Sequence, residues 1–274
     1  MPGFQKWVAD LGGMNESALF GQMPGEMVFD RPGPGFPSGP MKSAILCTAR
    51  SGSSLLSVAL QAYGFEFHEY LNSSGLLKQI VVSNDVKVTS ELAPHFARKA
   101  TVNGRISIKT PSNGLQYLFA MGEFPKNLDQ WRFVYLRREN LVRQAISGFI
   151  AQRTGQWTKK MEKRGEVTDS DYSFDEIMKL VGVYAQGNRT LERFIGLLGI
   201  PTYNVVYEEF LTDQKRILAE IATFLGADVG DYPDAVDHEP WLERQSTQLN
   251  EAWESRFRAE LLDQLRAATV PEPA

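Results

Sequence analysis

Thr48-Ala49-Arg50-Ser51-Gly52-Ser53-Ser54-Leu55 stands between an apolar run and a helical pattern, and its reading decides the fold. Before it lies Ser43–Thr48, with Ala44, Ile45, Leu46 and Cys47 in succession, a short run of the kind that forms a buried strand. After it Leu55, Val58, Ala59 and Ala62 recur at helical spacing, with Ser53 and Ser54 at the helix start. A strand, a tight loop and a helix start present backbone N–H groups and a positive helix end at one point, which suits an anion. Gly52 lets the backbone approach a ligand, Ser51, Ser53 and Ser54 add hydroxyls, and Arg50 adds a planar charged fork. A serine-capped turn without a ligand is the plainer reading of these residues taken alone. A triphosphate-binding loop is written G-x-x-x-x-G-K-[ST]. Here Gly52 is the motif's one glycine and no lysine occurs between Ser43 and Tyr70, so the loop suits a compact sulfate or monophosphate-like group.

Further short β-rich runs at Arg105–Lys109, Arg132–Leu136 and Thr202–Val206 alternate with helical patterns, which implies a parallel sheet with right-handed crossovers. Asn140 is placed to cap a helix carrying Leu141, Ala145, Ile146 and Phe149. Ser173 with Glu176 reads as a capping box opening a long helix to about Leu198. Thr212 or Asp213 caps another helix, to Phe224.

With 274 residues the chain can bury one substantial core, and 43% hydrophobic with 23% charged residues is a soluble globular composition. A net charge of -4 argues against broad nucleic-acid or anionic-membrane binding, so any anion site is local. No apolar run reaches the roughly 20 residues of a membrane span. The first residues lack a secretory pattern, and the single Cys47 excludes an intrachain disulfide, so a cytoplasmic location is expected. Residues 1–40 read as an extension with a short amphipathic helix near Gln5 to Leu11 and a Pro/Gly-rich linker, and residues 41–274 as the α/β domain. Residues 152–172 are charged and aperiodic, which suits a solvated loop or an active-site lid equally. In the long helix Tyr184, Asn188, Arg189, Glu192 and Arg193 form a polar stripe expected to face water. In the tail, Trp241, Trp253 and Phe257 suit packing on the sheet or on another subunit, which keeps a homodimer open.

A second motif runs from Val134 to Ser147. The strand delivers Arg137 and Arg138 to its C-terminal edge, where ligands of open α/β sheets bind, and the next helix carries Gln144 and Ser147 on one side. An arginine at a strand end and a hydroxyl on the following helix can clamp a second phosphate. A solvent-facing arginine pair is the alternative.

Together the two motifs resemble the sulfotransferase superfamily. The arginine in the first loop resembles its bacterial trehalose 2-sulfotransferase branch, as do His68-Glu69-Tyr70-Leu71-Asn72, Ile108-Lys109, Gln144–Ser147, Gln152–Trp157 and Leu242-Glu243-Arg244-Gln245. The resemblance spans about residues 43–258 and implies a P-loop-like three-layer α/β/α sandwich with a central parallel sheet. It implies 3'-phosphoadenylyl sulfate (PAPS) as donor, its 5'-phosphosulfate held by Arg50, Ser51, Gly52, Ser53 and Ser54. The 3'-phosphate then falls to Arg138 with Ser147 or Gln144, since the spacing from Arg138 to Ser147 is nine where eight is commoner, and Arg244 could approach it as well. Glu69 is the implied base, Glu66 and His68 its nearby rivals, and Arg50 and Lys109 are the implied donors to the moving group. The acceptor would be a hydroxyl of a small molecule, such as a carbohydrate or a lipid-linked polar group, with no nucleic acid and no metal involved. A small-molecule or nucleotide kinase, or a non-catalytic nucleotide-binding protein, is the rival reading.

Overall fold

The computed structural model describes residues 35–36, 41–71, 92–124, 126–158, 161–227 and 248–269. The expected helix near Gln5, Asn72, Trp241, Arg244 and most of the Pro/Gly linker lie outside the described residues. Strand β1 (Met41–Cys47) is followed by helix α1 (Ser53–Ala59), continued as a 3-10 turn over Leu60–Tyr63. Then come α2 (Leu92–Ala100), β2 (Thr101–Val102), β3 (Arg105–Thr110), α3 (Leu115–Ala120) and β4 (Trp131–Arg137). Next are α4 (Leu141–Thr154), α5 (Phe174–Leu198), β5 (Thr202–Val206), α6 (Tyr207–Thr212), α7 (Gln214–Phe224) and α8 (Gln248–Thr269). The chain divides into two units: residues 1–139 with 186–239, and residues 140–185 with 240–274.

The first unit is built on a five-stranded sheet in the order β2-β3-β1-β4-β5. All pairs are parallel except β2 with β3, so the sheet is mostly rather than wholly parallel. β2 is two residues long and follows α2 directly, too short for alternation to mark it in the sequence. The four predicted strands are present, with ends shifted by at most two residues.

Alternation along β1 and β4 sorts two cores onto two faces. Ala44, Leu46, Phe133 and Tyr135 join α2, α3 and the end of α5 through Leu92, Phe96, Leu115, Leu118, Leu191 and Phe194. Ile45, Cys47, Val134 and Leu136 join the opposite layer through Leu56, Leu60, Phe210, Leu218 and Ile221. Helix, sheet and helix form three layers, as expected. Cys47 is a buried free thiol.

At the N-terminal edge of the sheet Lys42 and Glu123 form an ion pair at 2.6 Å, both side chains fully buried. Glu123 also accepts hydrogen bonds from Trp131 Nε1 (3.0 Å), Asn127 Nδ2 (2.9 Å) and the backbone N–H of Phe36 (2.6 Å). Lys42 donates further to Gln130 Oε1. Both charges are thus enclosed by partners, the condition under which burying them is tolerable. Phe36, from within the 1–40 extension, stacks on Phe96 and belongs to the core.

In the second unit Asn140 caps α4 as expected, its side chain accepting from the N–H of Arg143. Trp253 and Phe257 of α8 are buried here, against Phe149 and Tyr172 and against Phe174 respectively. Both thus pack against aromatic rings of their own unit. Gly148 is required because a Cβ there would lie 2.2 Å from the Tyr184 hydroxyl. Glu254 is raised by burial, but hydrogen bonds from Asn140 and Arg258 and the charge of Arg143 outweigh this and hold it below the usual carboxylate range. The 152–172 segment is tied down at several points. Arg164 donates its N–H to Thr154, Thr168 and Asp171 form a capping box, and Trp253 Nε1 donates to Asp169.

Glu123→Gln keeps the shape of the buried cluster but leaves the Lys42 charge without its anion. A loss of about 3–5 kcal/mol is expected, the scale of a broken buried pair, read from the urea midpoint at unchanged m-value.

Candidate active site

The turn after β1 joins strand to helix as the sequence implies. Arg50 and Gly52 both have left-handed φ values, 61° and 97°. The second needs glycine for a further reason: a Cβ on Gly52 would meet the Tyr207 ring at 2.2 Å. Ser51 is fully buried and its Oγ has no hydrogen-bond partner among the described residues. A buried hydroxyl without a partner is costly unless something else satisfies it. Ser53 is buried, Ser54 is exposed, and the backbone N–H groups of Gly52, Ser53 and Ser54 open α1. First-turn N–H groups have no partner within their own helix. The loop is also tied from the sheet side, since Thr48 Oγ1 donates to Asn188 Oδ1 at 3.1 Å.

Register brings the next residue in. Ile45 pairs with Lys109, so Lys109 shares the face on which α1 packs. His68 makes a parallel bridge to Ile108, and the N–H of Lys109 donates to the His68 carbonyl at 2.9 Å. The chain after His68 therefore runs beside the end of β3. Lys109 Nζ lies 2.9 Å from Glu69 Oε1 and donates to Ser54 Oγ at 3.1 Å. Its side chain is 8% exposed, against 46% for Glu69. One buried ammonium thus joins a half-open carboxylate to the loop. Pro111, next but one along the chain, leaves this arrangement intact: β3 continues to Thr110 and the turn begins after it. His68 and Glu66 face each other at 3.5 Å, both half exposed, and Lys109 pairs with neither.

Arg138 leaves β4 with its side chain 12% exposed, 3.7 Å from Glu208 Oε1 through Nε. Its guanidinium lies over the Tyr207 ring, 4.8 Å from the centroid. Arg137 turns to Glu139 instead. Gln144 and Ser147 belong to the second unit, Gln144 fully buried and Ser147 partly so. Tyr207 and Glu208, which lie against Arg138, are residues that the motif reading did not single out. The signal was present, because they follow Val206 at the C-terminal edge of β5, the edge where such sheets bind ligands.

The polar stripe of α5 does not simply face water. Tyr184 is buried, Asn188 holds Thr48, and Glu192 accepts from the Tyr135 hydroxyl at 3.1 Å. Burial, with Glu192 beside it, pushes the Tyr135 phenol up. Arg189 and Arg193 remain exposed. Among the described residues no cluster of three or more His, Cys, Asp or Glu is placed to hold a metal, and no helix is long and apolar enough to cross a membrane.

No curated protein sequence matches the chain. Among solved structures, retinol dehydratase in complex with retinol and PAP is 14% identical, covering 87% of this chain and 85% of that one, with a TM-score of 0.47. The sulfotransferase domain of the Synechococcus PCC 7002 olefin synthase is 15% identical over 91% and 92% of the two chains, TM-score 0.42. The sulfotransferase domain of the curacin biosynthetic pathway is 18% identical over 87% and 94%, TM-score 0.43. These overlaps are loose, and the assignment stands on sequence. Residues 120–260, just over half of the 274, match the family model described as Stf0 sulphotransferase, and the chain belongs to that family.

Proposed function

We propose that this sulfotransferase takes its sulfuryl group from PAPS and passes it to a hydroxyl of a small polar acceptor, with Glu69 as general base. The observation that carries the reading is the Lys109 contact pair, which sets Glu69 and the Arg50–Ser54 loop on either side of one ammonium. The loop's features fit a compact anion: an orphaned buried hydroxyl on Ser51, helix-opening N–H groups, and Arg50. The Arg138 guanidinium is the natural partner for the donor's 3'-phosphate, with Ser147 or Gln144 as the second ligand.

In the reaction the acceptor oxygen attacks sulfur as the bond from sulfur to the 5'-phosphate oxygen breaks. Glu69 takes the hydroxyl proton, and 3',5'-diphosphoadenosine leaves with the electron pair. Charge spreads over the equatorial sulfuryl oxygens, so fixed donors aimed there supply much of the acceleration. Arg50, Lys109 and the loop N–H groups are suited to that task. Because Lys109 is buried and Glu69 half open, the carboxylate can meet an incoming hydroxyl while the ammonium stays beside the loop. A sugar or a lipid-linked polar group fits the reading as acceptor, and a cytoplasmic location and a homodimer are both compatible with it.

The donor is tested first. 3',5'-Diphosphoadenosine is expected to raise the melting temperature and ATP is not; stabilisation by ATP alone would point to a kinase. Arg50→Ala and Arg138→Ala should each weaken binding of 3',5'-diphosphoadenosine by about 1.5–3 kcal/mol, the worth of a hydrogen bond to a charged group, read by calorimetry. Equal affinity in Arg138→Ala overturns the 3'-phosphate assignment, and Ser147→Ala and Gln144→Ala made separately show which residue assists it.

Glu69→Gln preserves size and removes the proton acceptor. Turnover at saturating acceptor should fall by ~10²–10⁴ while donor affinity stays nearly constant. Glu66→Gln and His68→Gln are expected to be milder, and a normal kcat in Glu69→Gln would move the base elsewhere.

A further inference from the structure

Arg138 is held from two sides by consecutive residues of another strand end. Tyr207 lies beneath the guanidinium plane, and Glu208 Oε1 approaches the inner Nε edge. The other oxygen of Glu208 accepts the backbone N–H of Glu139 at 3.1 Å. One carboxylate thus hydrogen-bonds the backbone just after Arg138 and stands 3.7 Å from its Nε as an ion pair without a hydrogen bond. Packing of this kind fixes where an otherwise long and rotatable side chain points. The edge taken by Glu208 is also informative. A phosphate can take two parallel N–H contacts from an arginine, and the two terminal nitrogens offer one such pair away from Nε. A carboxylate on the Nε side, with the Tyr207 ring against the guanidinium face, restrains the side chain and leaves the terminal nitrogens for a phosphate.

We propose that Glu208 is a positioning residue that makes the enzyme select a nucleotide bearing a 3'-phosphate over one without it. This rests on the assignment of that phosphate to Arg138. Tyr207 assists, but because it also abuts Gly52 its removal would disturb both loops. Glu208 therefore gives the cleaner test. The contrary role is equally definite: a carboxylate beside Arg138 that merely competes with the phosphate would make binding tighter when removed.

The experiment compares affinities for 3',5'-diphosphoadenosine and 5'-AMP by calorimetry in the full-length chain and in Arg138→Ala, Glu208→Ala, Glu208→Gln and the double variant Arg138→Ala/Glu208→Ala. Arg138→Ala should collapse the affinity ratio; if it does not, the phosphate assignment itself fails and Glu208 has nothing to position. Given that collapse, Glu208→Ala should lower affinity for the 3',5'-diphosphate by about tenfold, the scale of one charge-assisted contact, and leave 5'-AMP unchanged. Glu208→Gln, which keeps an acceptor for the Glu139 N–H, should recover part of the loss, and the double variant should lose no more than Arg138→Ala. An unchanged or higher ratio in Glu208→Ala, or an equal loss for both nucleotides, overturns the proposal. Far-UV circular dichroism and the melting temperature of each variant identify any that misfold, and for these Glu208→Gln supplies the test.

Discussion

The site depends on the register of β1 against its two neighbours. Leu46 pairs with Thr110 and Cys47 with Leu136, so β1, β3 and β4 end together at one edge. Because β1 is buried on both faces, a slip of one residue would exchange two complete sets of side chains between two differently shaped helix layers. That cost fixes Arg50 just past β1, Lys109 near the end of β3 and Arg138 just past β4. The same alternation turns Lys109 toward α1. The residue types alone would not produce a site; the shared strand edge does.

Two lysine–glutamate pairs share one chemistry and differ in their surroundings. Lys42 and Glu123 are wholly enclosed, and the carboxylate is held by Lys42, Trp131, Asn127 and the Phe36 backbone. Such a pair can specify structure and can do little else, since water and substrate are excluded. Lys109 and Glu69 have nearly the same separation, but the carboxylate is 46% exposed. An exposed anion attached to a buried cation is held in place while remaining open to a ligand. Burial, rather than distance, separates the structural pair from the candidate catalytic one.

Much of this was legible in the sequence where local pattern and burial agree. Short β-rich runs gave four of the strands, and Asn140 capped its helix as its side chain allows. The loop at Arg50–Ser54 and the strand carrying Arg138 were visible because glycine, hydroxyls and arginine at a strand end are local features. The contact of Glu69 with Lys109 is not local: it needs the bridge between His68 and Ile108, a pairing outside any strand long enough to show a period. The inward side of α5 was misjudged for a related reason. Asn188 and Tyr184 are polar by composition, yet they are satisfied by Thr48 and buried beside Gly148, partners far away in sequence. Phe36 was hidden by the prolines and glycines around it, although a single aromatic ring is enough to anchor such a segment to a core.

A net charge of -4 at first sight sits poorly with the proposed donor, which carries phosphates and a sulfate. The structure resolves this by distributing charge in pairs. Lys109 lies against Glu69, and Arg138 against Glu208. Each cation is thereby tolerated where it is largely buried, since an isolated charge there would be costly. A multiply charged anion arriving at such pairs need not bring the cations out of solvent, because the protein has already done so. What it must do is share each cation with a carboxylate, and this works only if carboxylate and anion approach along different edges. For Arg138 the planar guanidinium provides those separate edges. For Lys109 the three donors of an ammonium can reach a carboxylate, a serine hydroxyl and one further oxygen at the same time.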